Sequence, residues 1–174
     1  MRRLLFSVSI PLSLIALPAP VSAQEMGVPA PCAAPADLPE ALAGWRNPAP
    51  ATAGNVQAKA VALPPGKAVI LALLPTPKVT YPLRPEKPGG SVSFGGLASF
   101  TVAQTGTWRV ALGSGAWVDV VKNGKAMTSI AHGHGPDCSG IRKMVDYSLT
   151  PGRYVLQVAA NGTDSLPLLV TRLQ

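Results

Sequence analysis

The chain has 174 residues and a formal charge of +7, but only three Trp, three Tyr and three Phe. Its cations (among them Lys59, Lys78, Lys87, Arg109, Lys125, Arg142 and Lys143) are scattered rather than clustered. With no dense basic run and few rings to stack on bases, nucleic acid is excluded as a partner. An anionic glycan or lipid headgroup stays open through general electrostatic attraction.

Arg2 and Arg3 precede an apolar run from Leu4 to Leu17, and small residues at Val21 and Ala23 fit a signal-peptidase pocket. This pattern predicts a cleaved leader over 1–23, a mature start at Gln24, and a periplasmic or secreted protein. Ser7, Ser9, Pro11 and Ser13 interrupt the run, whereas a membrane span needs roughly 20 clean apolar residues. No second apolar span follows, so no membrane span is expected after cleavage. Loss of Arg2 and Arg3 lowers the charge from +7 to +5.

Residues 24–54 form a Pro/Ala-rich segment in which each proline removes a donor and fixes φ. Within it, Asp37-Leu38-Pro39-Glu40 followed by Gly44 predicts one or two helical turns, with Trp45 packed onto the domain. Cys32 lies in this segment, and the only other cysteine is Cys138. In an oxidising compartment the pair reads as a disulfide tying the Pro-rich segment to a distant loop. The closed loop of about 100 residues gives roughly 4–5 kcal/mol at most in the chain-entropy picture.

Residues 55–174 change to short β segments. Val56–Leu63, Ala68–Leu74 and residues 78–83 are candidate strands divided by Pro64-Pro65-Gly66, Pro75 and Pro77. Ser91–Ala103 reads as two pieces around Gly95-Gly96. Thr107–Leu112 alternates, and Asn123-Gly124 is a two-residue hairpin signal between Ala116–Lys122 and Lys125–Ile130, because both positions tolerate φ > 0. After a loop at 131–142, Lys143–Leu149, Arg153–Ala159 and Leu166–Leu173 follow, turned by Thr150-Pro151-Gly152 and Asn161-Gly162. Eight or nine short antiparallel strands with regular turns and no long amphipathic helix predict an all-β sandwich or jelly roll.

Chemistry concentrates in the loop from Ala131 to Lys143, which holds both histidines. His132-Gly133-His134 in an extended chain puts two imidazoles on one side, able to share Fe, Zn or Cu, with Asp137, Asp119 or Asp146 as candidate third ligand and no spacing that selects among them. The competing readings are a structural loop tied down by Cys138, or an anion site using Arg142 and Lys143. Trp117 is a candidate sugar-stacking ring or a core anchor, and the same choice faces Trp108. No nucleophile elbow or carboxylate pair is present. Asn161-Gly162-Thr163 matches a glycosylation sequon but also marks a turn.

Leu73-Leu74-Pro75-Thr76-Pro77, Arg84-Pro85-Glu86-Lys87-Pro88-Gly89-Gly90, Ala111-Leu112-Gly113-Ser114-Gly115-Ala116-Trp117-Val118-Asp119-Val120 and Ala131-His132-Gly133-His134-Gly135-Pro136 carry a resemblance. Over Leu71–Lys143 the chain resembles small exported proteins of α-proteobacteria, notably sphingomonads, that bear the label homogentisate 1,2-dioxygenase. The resemblance implies a metal-dependent oxygenase with His132 and His134 as ligands. Homogentisate dioxygenases are large cytosolic cupins holding Fe²⁺ with two histidines and a glutamate. This chain departs from that pattern, for no His-x-x-x-x-x-Glu follows its histidines. The residues themselves favour a non-catalytic module binding a small ligand, glycan or envelope component, with a structural envelope accessory as the third reading.

Overall fold

The computed structural model describes Cys32 and residues 34–173, so the leader expected over 1–23 lies outside the described residues. From Cys32 onward the chain is one compact unit. Its strands are β1 (Ala49–Thr52), β2 (Val61–Ala62), β3 (Val69–Ala72), β4 (Leu74–Pro75), β5 (Phe94–Val102), β6 (Gly106–Leu112), β7 (Trp117–Lys122), β8 (Lys125–Ala126), β9 (Ser129–Gly133), β10 (Lys143–Leu149), β11 (Gly152–Asn161) and β12 (Ser165–Arg172). One sheet runs β1-β3-β12-β6-β10-β9, and the other β2-β5-β11-β7-β8, with β4 also pairing β5. The architecture is an all-β sandwich.

Alternation along the strands builds the core, because successive side chains point to opposite faces. Ala98, Phe100 and Val102 of β5, Val118 and Val120 of β7, and Tyr154, Leu156 and Val158 of β11 point inward from the second sheet. They meet Val110 and Leu112 of β6, Val145 and Tyr147 of β10, and Leu168 and Val170 of β12. Phe100 stacks on Tyr154 at 5.6 Å and lies 6.2 Å from Trp108, which makes Trp108 a core anchor. The Tyr154 hydroxyl turns back four residues, donating to the Thr150 carbonyl (2.8 Å) and accepting from the Thr150 amide (3.2 Å). That closes the Thr150-Pro151-Gly152 corner between β10 and β11. At the β7–β8 hairpin, Asn123 and Gly124 both take positive φ (51° and 73°), as a tight two-residue turn requires.

The structure differs from the sequence reading in several places, and the expected strand Lys125–Ile130 is divided between β8 and β9 of different sheets. The sheets are mixed rather than purely antiparallel, since β1 pairs parallel with β3 and β2 parallel with β5. Gly95-Gly96 does not divide β5. A Cβ at Gly95 would overlap the Tyr81 hydroxyl, and one at Gly96 would overlap the Ala53 methyl, so these glycines admit close neighbours to an unbroken strand. Residues 79–83 form no strand. Tyr81 donates to the Val158 carbonyl (3.0 Å), and Leu83 exchanges hydrogen bonds with the Gln157 amide, so the segment lies across the outer face of the second sheet.

The Pro-rich segment is built into the fold. A 3-10 helix spans Glu40–Arg46, and its Leu42 is buried with Ala68, Ala111, Ile141 and Leu169 in a second cluster on the outer face of the first sheet. Trp45 and Leu38 pack against the same cluster, as expected for Trp45. The Cys32–Cys138 disulfide is present, with its Cα atoms 5.6 Å apart. The Trp45 indole adds a hydrogen bond to the Ser139 carbonyl at 2.9 Å, so strap and loop are tied twice.

Candidate functional site

The 134–142 loop is held by its own hydrogen bonds. The Ser139 hydroxyl donates to the Pro136 carbonyl (2.6 Å) and accepts from the Ile141 amide (3.0 Å), while the Gly135 amide reaches the Ile141 carbonyl (3.2 Å). Cys138 and Gly140 take positive φ (59° and 75°), which folds the loop back onto β10. This compact turn serves as the socket for the strap.

His132 sits on the exposed edge strand β9 opposite Val145, and His134 follows just past the strand end, also exposed. The Arg142 carbonyl can only accept, so His134 Nδ1 is the donor in the 2.8 Å contact, and in a neutral ring Nε2 is then the acceptor. That tautomer is one a metal ligand uses. A complete donor set does not accompany it: among the described residues, no three His, Cys, Asp or Glu side chains are grouped to hold a metal ion. His132, His134 and Asp137 therefore do not make a ligand triad, and Cys138 is committed to the disulfide. The oxygenase donor set of two histidines and a carboxylate is not assembled among the described residues.

A different constellation forms around Trp117, at the start of β7. The turn before it is fixed by the Ser114 hydroxyl, which donates to Asn161 Oδ1 (2.6 Å) and accepts from the Ala116 amide (3.2 Å). Asn161 is buried, and its amide nitrogen bonds the Thr163 and Ser165 carbonyls, so the sequon asparagine is a structural turn residue. The indole N–H of Trp117 donates to Asp119 Oδ1 (3.0 Å), and Asp119 Oδ2 accepts from Gln157 Nε2 (2.7 Å). Both carboxylate oxygens thus hold protein groups, and the ring is locked by its edge.

Two ammonium groups flank this ring. Lys87 Nζ lies 5.5 Å and Lys143 Nζ 5.4 Å from its centroid. Each contact is a cation–π attraction worth roughly 0.5–1 kcal/mol at such exposure. Lys143 donates one hydrogen bond, to the Ala116 carbonyl (2.9 Å). Lys87 has no hydrogen-bond partner among the described residues. Burial holds the Lys143 ammonium below the ordinary lysine value, and the neighbouring charge of Lys87 adds to this while Asp119 opposes it. Burial likewise pushes the Tyr147 hydroxyl far above the ordinary phenol value, with Asp119 adding to the effect. The arrangement places N–H donors with no assigned partner beside an aromatic face, which suits an oxyanion on a flat or ringed ligand.

Of the residues singled out from sequence, Trp117 and Lys143 come together, while Arg142 stays exposed on the histidine loop. Lys87 is the functional candidate that sequence reasoning missed. It lies about thirty positions before Trp117 in a Pro/Gly-rich loop, where no local pattern distinguishes it from other scattered lysines. Compared with protein-family models and with curated proteins, the chain matches none.

Proposed function

We propose that this protein is an exported, non-catalytic β-sandwich that binds an anionic ligand at Trp117, Lys87 and Lys143. The carrying observation is the position of two ammonium groups within 5.5 Å of one edge-locked indole ring. Two like charges beside one ring repel each other, and an oxyanion between them replaces that repulsion with charge-assisted hydrogen bonds. Asp119 neutralises part of the charge but is committed to Trp117 and Gln157, so it orients the ring rather than blocking the site. Export is supported by the Cys32–Cys138 bond, a linkage that persists in oxidising compartments. On this reading residues 1–23 are removed and the protein works in the periplasm or outside the cell.

Titration of the exported protein with inorganic phosphate and with a uronic acid, followed by tryptophan fluorescence, tests the site. Saturable binding that weakens at least tenfold in Lys87→Gln/Lys143→Gln is expected. Equal binding by wild type and variant, or none by wild type, refutes it. The N-terminal sequence of the secreted protein, expected to begin at Gln24, tests the leader.

A further inference from the structure

Trp117 does not stand alone on its face. Val118 and Val120 point into the core, so alternation sends Trp117, Asp119 and Val121 to the outer side of the second sheet. Their partners on β11 are Ala159, Gln157 and Val155, in register. Leu83 lies over Gln157 on β11, while Trp117 and Asp119 on β7 stay partly exposed beside it. From Trp117 to Val121 the strand advances roughly 13 Å at about 3.4 Å per residue.

At the far end lies a groove of about 550 Å³ with Val121 and Val155 among its lining residues. Gln57, Asn123 and Arg153 border it, and no acid lines it. The side-chain amides of Gln57 and Asn123 have no hydrogen-bond partner among the described residues. Arg153 uses one nitrogen on the Ser99 hydroxyl (3.1 Å), leaving further guanidinium donors. Lys122 also lines the groove, but its ammonium is spent on Thr150, Pro151 and the Tyr154 hydroxyl. Free amides beside an apolar floor suit hydroxyl groups above a hydrocarbon face, and the remaining guanidinium donors suit a carboxylate.

We propose that this face is an extended site for an acidic oligosaccharide, with one charged unit at Trp117, Lys87 and Lys143 and the next units running along β7 into the groove bordered by Gln57, Asn123 and Arg153. The inference rests on the anion site proposed above and adds the ligand class and a second subsite. A ringed, polyhydroxylated acid satisfies both ends together, whereas phosphate or a lipid headgroup fills only the first. Occupying two connected subsites raises affinity through effective concentration without new kinds of contact.

Calorimetric titration of the full exported chain tests it with a uronic-acid monomer, the corresponding tetramer, a neutral hexose tetramer and inorganic phosphate. The acidic tetramer is expected to bind at least ~10-fold more tightly than the monomer. Gln57→Ala/Arg153→Gln should erase that gain while leaving monomer affinity unchanged, and the neutral tetramer should bind at least ~10-fold more weakly than the acidic one. Circular dichroism and melting of the variant establish that it folds. A tetramer no tighter than the monomer, a gain that survives in the variant, or a neutral tetramer that binds equally well overturns the extended site. Phosphate and monomer binding that still depends on Lys87 and Lys143 would leave the simpler anion site standing. Loss of all binding by wild type overturns both.

Discussion

Replacing Cys32 and Cys138 by serine removes a cross-link between residues separated by 106 positions. In the chain-entropy picture a loop near that length restricts the unfolded chain by about 4.7 kcal/mol, which is the ceiling for the effect. That is a large share of the roughly 5–15 kcal/mol that stabilises a domain of ordinary size. The native sheets should survive, because neither cysteine belongs to a strand and both are exposed. The strap retains Leu42, buried against Ala111 and Leu169, and the Trp45–Ser139 hydrogen bond. Urea unfolding followed by far-UV circular dichroism should therefore show a lower midpoint with an unchanged folded spectrum. The melting temperature should fall on the order of 10 °C. Amide exchange should quicken first in residues 40–46, where the strap now opens without breaking a covalent bond. Wild type treated with a dithiol reductant should behave like the double variant. A midpoint equal to that of the oxidised wild type would refute the reasoning, since the bridge would then constrain nothing in the unfolded chain.

The Tyr147 phenol is held above its ordinary value of 10.0, chiefly by burial. Its contribution to stability is thus full below about pH 10 and is lost as pH rises beyond the unfolded value. Tyr147→Phe should flatten the alkaline fall in urea midpoint relative to wild type, and parallel curves would contradict this. Arg109 bonds Asp146 through Nε at 2.7 Å and Nη2 at 2.8 Å on the half-covered outer face of the first sheet. Asp146→Ala should cost about 1.5–3 kcal/mol in urea unfolding. A double-mutant cycle with Arg109→Ala should return a coupling above ~0.5 kcal/mol, and a smaller value would reduce the pair to packing alone. Metal analysis of natively purified protein should find no stoichiometric metal that depends on the histidines. Stoichiometric iron that disappears in His132→Ala/His134→Ala would overturn the non-catalytic reading.

Much of the framework was legible along the chain because it is local chemistry. Asn123-Gly124 declares its hairpin through the φ values its residues tolerate, and β10 occupies the same Lys143–Leu149 segment that its apolar pattern indicates. Two cysteines have one way to pair with each other, and the bond is present. The strand β1 was hidden because Pro50 reads as a breaker. It is tolerated where β1 lies at the sheet edge, pairing only with β3, so its missing N–H has an outward side to face. Residues 79–83 misread in the opposite sense, since the Tyr81 hydroxyl and the Leu83 backbone bond across a sheet face instead of joining the sheet.

By itself, the sequence determined the class of fold, the turns and the disulfide partners, because each depends on a residue type, a count or a spacing. The site was decided only by tertiary structure. Lys87, Trp117 and Lys143 come from a Pro/Gly-rich loop and from strands of two different sheets, and only sandwich packing brings their charges to one ring. The same packing left both histidines on an exposed edge, with no third ligand grouped beside them among the described residues. A motif in one loop can be read from its neighbours in sequence, whereas a meeting of three distant side chains depends on strand order and register that no local pattern encodes.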